Sequence, residues 1–232
     1  MCWSARVDLV AGGLIAGVGV LCLARAARSQ QPGRLLLAAL PLVLGVHQLI
    51  EALVWLGADG RLPDALGAAA RTAWAVIALP LLPVLVPAGV WCAAAEHTRP
   101  TPTAPAPPRR TATRSTRRRA LAALAVLGLG VAIPLAVAVG THPVSASVHG
   151  HTLAYGVGVA HPAVLLVGYL SATVGALLLS GDRLLRRLGL LIGVGAVLCG
   201  LLWELAFIST WCALAAVASV VLFRWSGRPP AG

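Results

Sequence analysis

Seven long apolar segments restrict the fold of this chain more than any other feature. A helix needs roughly 20 apolar residues to cross the hydrocarbon core of a bilayer, and runs of about this length recur along the chain. They are continuous, whereas the strands of a membrane barrel alternate apolar and polar residues over short stretches. The sequence therefore predicts an all-α membrane protein, a bundle of seven transmembrane helices. The predicted spans are about 7–27, 35–57, 68–95, 120–140, 162–180, 185–206 and 209–225.

The amino-acid composition supports the membrane class. Of the 232 residues, 59% are hydrophobic and 11% are charged, whereas soluble proteins carry about 25% charged residues. So large an apolar fraction also excludes a chain that is disordered throughout. We therefore expect a multi-pass protein of the cell membrane that has the lipid bilayer as its main partner.

The distribution of arginine predicts the orientation in the membrane. The net charge is +11, and all 18 basic residues are arginines. In the seven-helix arrangement fifteen of them fall on one side, and Arg6, Arg61 and Arg71 fall on the other. Cytoplasmic loops carry the excess of basic residues, so the N-terminus is predicted outside and the C-terminus in the cytoplasm. Because the charge follows the membrane topology, it does not indicate nucleic acid as a partner.

A Pro/Thr/Arg-rich stretch divides the chain. Residues 97–119 have few apolar side chains and are predicted to form a disordered cytoplasmic linker. Two interpretations of its arginines remain open: they bind anionic lipids of the cytoplasmic leaflet, or they only determine the topology. Three predicted helices lie in residues 1–96 and four in 120–225, followed by a cytoplasmic tail at 226–232.

Two segments are predicted to depart from regular helix. Pro80, Pro83 and Pro87 lie in the third span, and each removes a backbone donor, so this helix should be kinked or locally unwound. The external segment 141–161 alternates apolar and polar residues on both sides of a turn that contains glycine, which predicts a β-hairpin. We expect this hairpin to lie over the outer mouth of the bundle as a lid.

The strongest functional signal is a polar group inside the second span. His47, Glu51 and Trp55 are spaced i, i+4, i+8 and lie on one face of the helix. Ionisable residues in a membrane helix indicate function by default, although the alternative is that His47 and Glu51 only satisfy each other. Other polar residues, Asp8 among them, are predicted at the same level. We predict a chamber that opens outward and is lined by His47, Gln48, Glu51, Trp55, Tyr155 and Glu204.

Three functions fit this chamber. The first is binding or transport of a cation, a proton or a small polar ligand. The second is a zinc-dependent membrane hydrolase, in which Glu51 or Glu204 activates water. The third is a structural scaffold whose buried polar residues only specify packing. Histidine and carboxylate are zinc ligands, and the candidates for the metal site are His47, Glu51, His151 and His161.

Two cysteines are predicted on the outer side, since Cys2 precedes the first span and Cys212 begins the last. Thiols outside the cytoplasm tend to oxidise, so a Cys2–Cys212 disulfide would tie the first helix to the last. As alternatives, the two thiols act as soft metal ligands or as a reactive group.

Five stretches together carry a family resemblance. They are Met1-Cys2-Trp3-Ser4-Ala5, HQLIEALVWLG from His47, HGHTLAYGVGVAH from His149, GALLLSGDR from Gly175 and STWCALAAV from Ser209. On these residues the chain resembles, over almost its whole length, an uncharacterised family of bacterial integral membrane proteins that share a domain of unknown function. An aromatic residue, typically Phe, follows the cysteine in that family, and here Trp3 takes its place. The resemblance implies a multi-helix fold in the bacterial inner membrane but no activity. It draws attention to Cys2, His47, Glu51, His151, Tyr155 and Cys212.

Overall fold

The computed structural model describes residues 4–29, 31–96, 108–149, 152–201 and 207–228. Within these ranges the side chains of 96, 108–113, 199–201 and 207–213 are not described. The described chain is mainly helical and contains one antiparallel pair of strands.

The elements follow one another in a simple order. The helices are α1 (Ala5–Arg28), α2 (Leu35–Ala38), α3 (Leu40–Ala58), α4 (Asp64–Val76), α5 (Leu82–Glu96), α6 (Pro108–Thr141), α7 (Pro162–Leu179), α8 (Arg183–Leu201) and α9 (Phe207–Ser226). A 3-10 turn at Pro32–Arg34 leads into α2, and a π-helical segment at Ile77–Leu81 joins α4 to α5. The strands β1 (Ser145–His149) and β2 (Thr152–Gly156) lie between α6 and α7.

Several helices are long and apolar enough to cross a bilayer. In the described part of the chain there are 5 such stretches, and the described apolar part of α9, Leu214–Ser226, is shorter. Each of the seven predicted spans nevertheless overlaps a helix. The prediction of a mainly helical protein with several possible membrane crossings is therefore confirmed. The qualifying stretches are Ala5–Arg28, Pro32–Ala58, Asp64–Ala95, Arg114–Thr141 and Pro162–Leu179.

The predicted linker is shorter than expected. Helix α6 begins at Pro108, so the second half of the stretch 97–119 is helical, and the prediction of disorder up to residue 119 was wrong there. Proline is tolerated in the first turn of a helix, and the arginines and alanines that follow have high helix propensity. Residues 97–107 lie outside the described residues.

The prolines of the third span distort the helix as predicted. Ile77–Leu81 is π-helical and contains Pro80. In a π-helix the carbonyl of Ala78 would accept from the N–H of residue 83, but Pro83 has none. The hydroxyl of Tyr169 on α7 donates to the Ala78 carbonyl instead, at 2.9 Å. A neighbouring helix thus satisfies a carbonyl that proline has deprived of its donor.

Glycines let α1 and α3 pack against each other at backbone distance. A Cβ added at Gly12 would lie 2.9 Å from the Gly45 carbonyl oxygen. Added Cβ atoms would also collide with the Leu42 backbone at Gly19 and with the Ala16 backbone at Gly45. Small residues at such interfaces are typical of membrane helices, which associate through close packing. The contact fixes the antiparallel register of α1 and α3, in which the first turn of α1 lies against the last turns of α3.

A buried arginine joins the start of α2 to the end of α9. The Arg34 side chain is 2% exposed, and its Nη1 donates to the Arg228 carbonyl at 2.7 Å. Its guanidinium carbon lies 5.2 Å from the centroid of the Trp225 ring. One turn before the end of α1, the Arg25 guanidinium carbon lies 4.4 Å from the Phe223 ring centroid. Arginine near a helix C-terminus satisfies its last carbonyls, so these contacts bring the first and last helices together at the predicted cytoplasmic end.

No described cysteines form a disulfide. Cys22 and Cys92 are free thiols, and no two described cysteine side chains lie at disulfide distance. Cys2 and the side chain of Cys212 lie outside what the structure describes. The predicted Cys2–Cys212 disulfide therefore has no structural support, and among the described residues the arginine–aromatic contacts join α9 to the start of the chain.

Replacing Gly19 with alanine should separate α1 from α3, because the new methyl group would collide with the Leu42 backbone. We expect Gly19→Ala to lower the free energy of unfolding by about 1–3 kcal/mol, measured by SDS titration of the detergent-purified protein. Gly17→Ala is the matched control, since nothing lies within 4 Å of its added Cβ. Equal destabilisation by the two variants would contradict the role of the contact.

Arg34→Ala should loosen α9, because the carbonyls of Trp225 and Arg228 lose a buried donor. We expect a loss of about 1–3 kcal/mol in the same SDS titration, with partial recovery in Arg34→Lys. Arg28→Ala removes an exposed arginine from the last turn of α1 and should have little effect. If Arg28→Ala and Arg34→Ala lower the free energy of unfolding equally, the hydrogen bonds from Arg34 to the end of α9 do not stabilise the protein.

Candidate functional site

Three ionisable side chains form a buried polar cluster, which consists of Asp8, His47 and Glu51. Their exposed fractions are 1%, 8% and 4%, respectively. Asp8 lies in the first turn of α1, where Ser4 caps the helix by accepting from the Val7 N–H at 3.4 Å. The glycine contact between α1 and α3 brings this turn beside Glu51. Residues that are far apart in sequence therefore share one buried site.

Helix α3 supplies the second side of the cluster. Because His47 and Glu51 are one turn apart, they lie about 6 Å apart along the helix axis. Gln48, between them in sequence, is 3% exposed and makes a polar interaction of its own. The Nε2 atom of His47 has no hydrogen-bond partner among the described residues. The structure thus places His47, Gln48 and Glu51 together in a buried part of α3. The predicted hydrogen bond between His47 and Glu51 is not formed at Nε2 of His47.

An aromatic stack covers the polar cluster. It consists of Trp74 from α4 and Tyr155 from β2, packed against His47. The rings of Trp74 and Tyr155 are parallel within 5°, with centroids 3.5 Å apart. The centroids of His47 and Trp74 are 5.1 Å apart with the planes tilted by 38°. Trp74 therefore connects α3 to the hairpin through ring contacts.

The hairpin is held over the helices by its buried face. β1 pairs with β2 so that Ala146 lies opposite Tyr155 and His149 opposite Thr152. Leu153 packs beside Val54 and Trp55. The Arg71 Nε donates to the Val144 carbonyl at 3.0 Å, which attaches α4 to the entry of the hairpin. The prediction of a β-hairpin within 141–161 is confirmed, and its packing is that of a cover over this end of α3 and α4.

Two indoles lie beside the two carboxyls. Trp55 lies next to Asp8, and Trp74 lies next to Glu51. Neither indole N–H reaches hydrogen-bond geometry with another described residue. Burial raises the pKa of the Tyr155 hydroxyl, and the charges of Glu51 and Asp8 raise it further. Tyr155 is therefore a neutral O–H donor close to two carboxyl acceptors.

Unpaired polar atoms are concentrated at this site. A buried donor or acceptor without a partner costs about 1–3 kcal/mol, so such groups are few in most proteins. Several such atoms lie together in this cluster. In the described part of the chain the atoms without a hydrogen-bond partner here are both carboxyl oxygens of Asp8, His47 Nε2, Trp55 Nε1, Trp74 Nε1 and Tyr155 Oη.

The predicted metal site is not assembled by the described residues. His161 is exposed and precedes α7 with φ of 52°, so it does not share the buried environment of His47. Within the residues that the structure describes, no three His, Cys, Asp or Glu side chains are grouped to hold a metal ion. The structure therefore does not bring His161 to His47, and the role of His161 as a zinc ligand stays a prediction. His151 and Glu204 lie outside the described residues.

Two members of the site were not among the residues predicted for it. Asp8 was predicted only at the right depth, yet its spacing from Gly12 and Gly19 puts it on the buried face of α1 together with them. That small-residue stripe is the signal that identifies the face. Trp74 has no such signal, because it reaches the site only through the packing of α4 and the hairpin.

A known protein family covers both halves of the chain. A model described as a family of unknown function, DUF6629, matches residues 1–108 and 105–232. The two matches meet within the Pro/Thr/Arg-rich stretch. No curated protein matches the chain, and no solved structure matches it. Because the matched residues extend from one end of the chain to the other, the chain belongs to the family of unknown function DUF6629.

Proposed function

We propose that this protein is a seven-helix membrane protein that binds a proton at the polar cluster of Asp8, His47 and Glu51. In this proposal the N-terminus is outside, the cluster lies in the outer half of the bundle, and the hairpin separates it from the external solvent. The proton is bound between the carboxyls of Asp8 and Glu51 and exchanges with the imidazole of His47.

The observation that carries the proposal is the burial of two carboxyl groups from different helices side by side. Asp8 and Glu51 repel each other when both are ionised. This repulsion is stronger in a low dielectric, and two carboxyls in such a site hold a proton between them. No described arginine forms an ion pair with either group. A proton is therefore a suitable counter-charge.

The neighbouring side chains favour a proton over a metal ion. A metal requires lone pairs, but the indole groups of Trp55 and Trp74 are donors only. An indole N–H can donate to a carboxyl oxygen but cannot act as a metal ligand. The stack of Trp74 on Tyr155, at 3.5 Å between centroids, also leaves no room for a solute between these rings.

His47 extends the cluster toward the middle of the membrane. In the proposed orientation α3 runs outward, so His47 lies one turn deeper than Glu51, and Asp8 lies near the outer end of α1. Chains of Asp, Glu and His at such depths are typical of proton relays. His47 Nε2, which has no described partner, is the atom that would accept or release the proton at the inner end of the cluster.

Infrared difference spectra between high and low pH test proton binding directly. We expect the wild-type protein in nanodiscs to show a protonated carboxyl band that shifts in D₂O. Asp8→Asn and Glu51→Gln should each remove most of this band. The proton is held between the two carboxyls, so the one that remains no longer has a partner with which to share it.

Asp59→Asn is the control, since Asp59 is an exposed acid at the end of α3. Its spectrum should keep the band. A band that persists in an Asp8→Asn/Glu51→Gln double variant with wild-type helicity and elution volume would overturn the proposal.

Cysteine labelling tests the orientation. Ser147 lies on the hairpin and Ser115 in the first turns of α6, and both are exposed. We expect a membrane-impermeant maleimide to label Ser147→Cys in intact cells and Ser115→Cys only after permeabilisation. The unsubstituted chain gives the background from native cysteines, and the reversed labelling pattern would refute an external N-terminus.

A further inference from the structure

Two groups of exposed or half-buried arginines lie at the predicted cytoplasmic end of the bundle. One group lies in the first turns of α6 and the other in the first turn of α8. We call them together the inner arginine surface. Its members are Arg114, Arg117, Arg118, Arg119, Arg183, Arg186 and Arg187.

Gly181 allows the two groups to come together. It lies in the turn between α7 and α8 with φ of 77°, a conformation that favours glycine. The Arg117 guanidinium from α6 lies against it, in the space that a side chain at residue 181 would occupy. Helix α6 is therefore close enough to α8 for their arginines to form one surface. Topology alone requires arginines on this side of the membrane but does not require this contact.

The inner arginine surface has almost no acidic counter-charge. Asp182 is the only acidic residue between residues 97 and 203. Its Oδ1 accepts from the N–H groups of Leu184 at 2.7 Å and Leu185 at 3.3 Å, so it caps the start of α8. Seven arginines and one acidic residue that already caps a helix leave this surface with a net positive charge, which attracts anions.

The depth of these arginines matches the lipid headgroups. Helix α6 has 34 residues and is therefore about 51 Å long, whereas the hydrocarbon core is about 30 Å thick. Its apolar part begins at Ala120, so the turns before Ala120 extend past the hydrocarbon. Arg183 opens α8 at the same end. Guanidinium groups bind phosphate in a bidentate manner.

We propose that the inner arginine surface binds the phosphate headgroups of anionic phospholipids in the cytoplasmic leaflet. α6 and α8 each supply arginines, and the contact of Arg117 with Gly181 holds the two sets at one site. This surface lies at the opposite end of the bundle from the polar cluster, so it goes beyond proton binding and can be tested without it.

Native mass spectrometry of the detergent-purified protein with added phosphatidylglycerol or phosphatidylcholine measures the binding. The wild-type protein should retain phosphatidylglycerol in preference to phosphatidylcholine. Each arginine removed should weaken its binding about fivefold, so Arg117→Gln/Arg186→Gln should show a decrease of about 25-fold. Arg186→Gln/Arg187→Gln leaves the Gly181 contact intact and should show a similar decrease.

Arg6→Gln/Arg61→Gln is the matched control, because both residues are exposed at the opposite end of the bundle. It should bind phosphatidylglycerol as the wild type does. The proposal is wrong if the control loses as much binding as the two test variants, or if both test variants keep the preference. Displacement of the lipid by an equal concentration of inorganic phosphate would also overturn it, because the ligand would then be a free anion.

Discussion

The backbone contact between α1 and α3 is the interaction on which the rest of the structure depends. Apolar side chains gain nothing from leaving lipid for another apolar surface, so membrane helices associate where small residues let backbones approach. Gly12, Gly19 and Gly45 provide that approach. The same register carries Asp8 to the level of Glu51. The glycine contact therefore determines that the carboxyl groups of Asp8 and Glu51 are buried near each other.

The hairpin covers the polar cluster that α1 and α3 form. Through Tyr155 it adds a ring to Trp74, which in turn packs on His47, so the polar cluster is covered by aromatic carbon. Such a cover keeps the dielectric low, and a low dielectric strengthens the coupling between charges inside it. The cover and the pair of acids therefore act as one unit in the proposed proton site. Arg71 attaches this unit to α4.

Most of the helices were predictable because a bilayer imposes a minimum apolar length, and the helix that contains Pro80 was distorted as expected. The hairpin was predictable from its alternation. The prediction of the linker failed because composition alone did not determine the conformation of that stretch. The residues after Pro108 are highly charged, as in a disordered linker, but they form a helix because arginine has a high helix propensity. His161 was predicted as a metal ligand because it is a histidine, and the structure places it, exposed, at the start of α7.

The sequence by itself determined the apolar helices that are long enough to cross a membrane, the positions of the arginines between them and the placement of His47 and Glu51 on one helix face, because each depends on spacing within a single helix or on composition. Only the tertiary structure decided that Asp8 and Trp74 belong to the same site, and that Arg117 meets the turn at Gly181. These neighbours lie on different helices. Their approach follows from helix packing, which the periodicity of one segment does not contain.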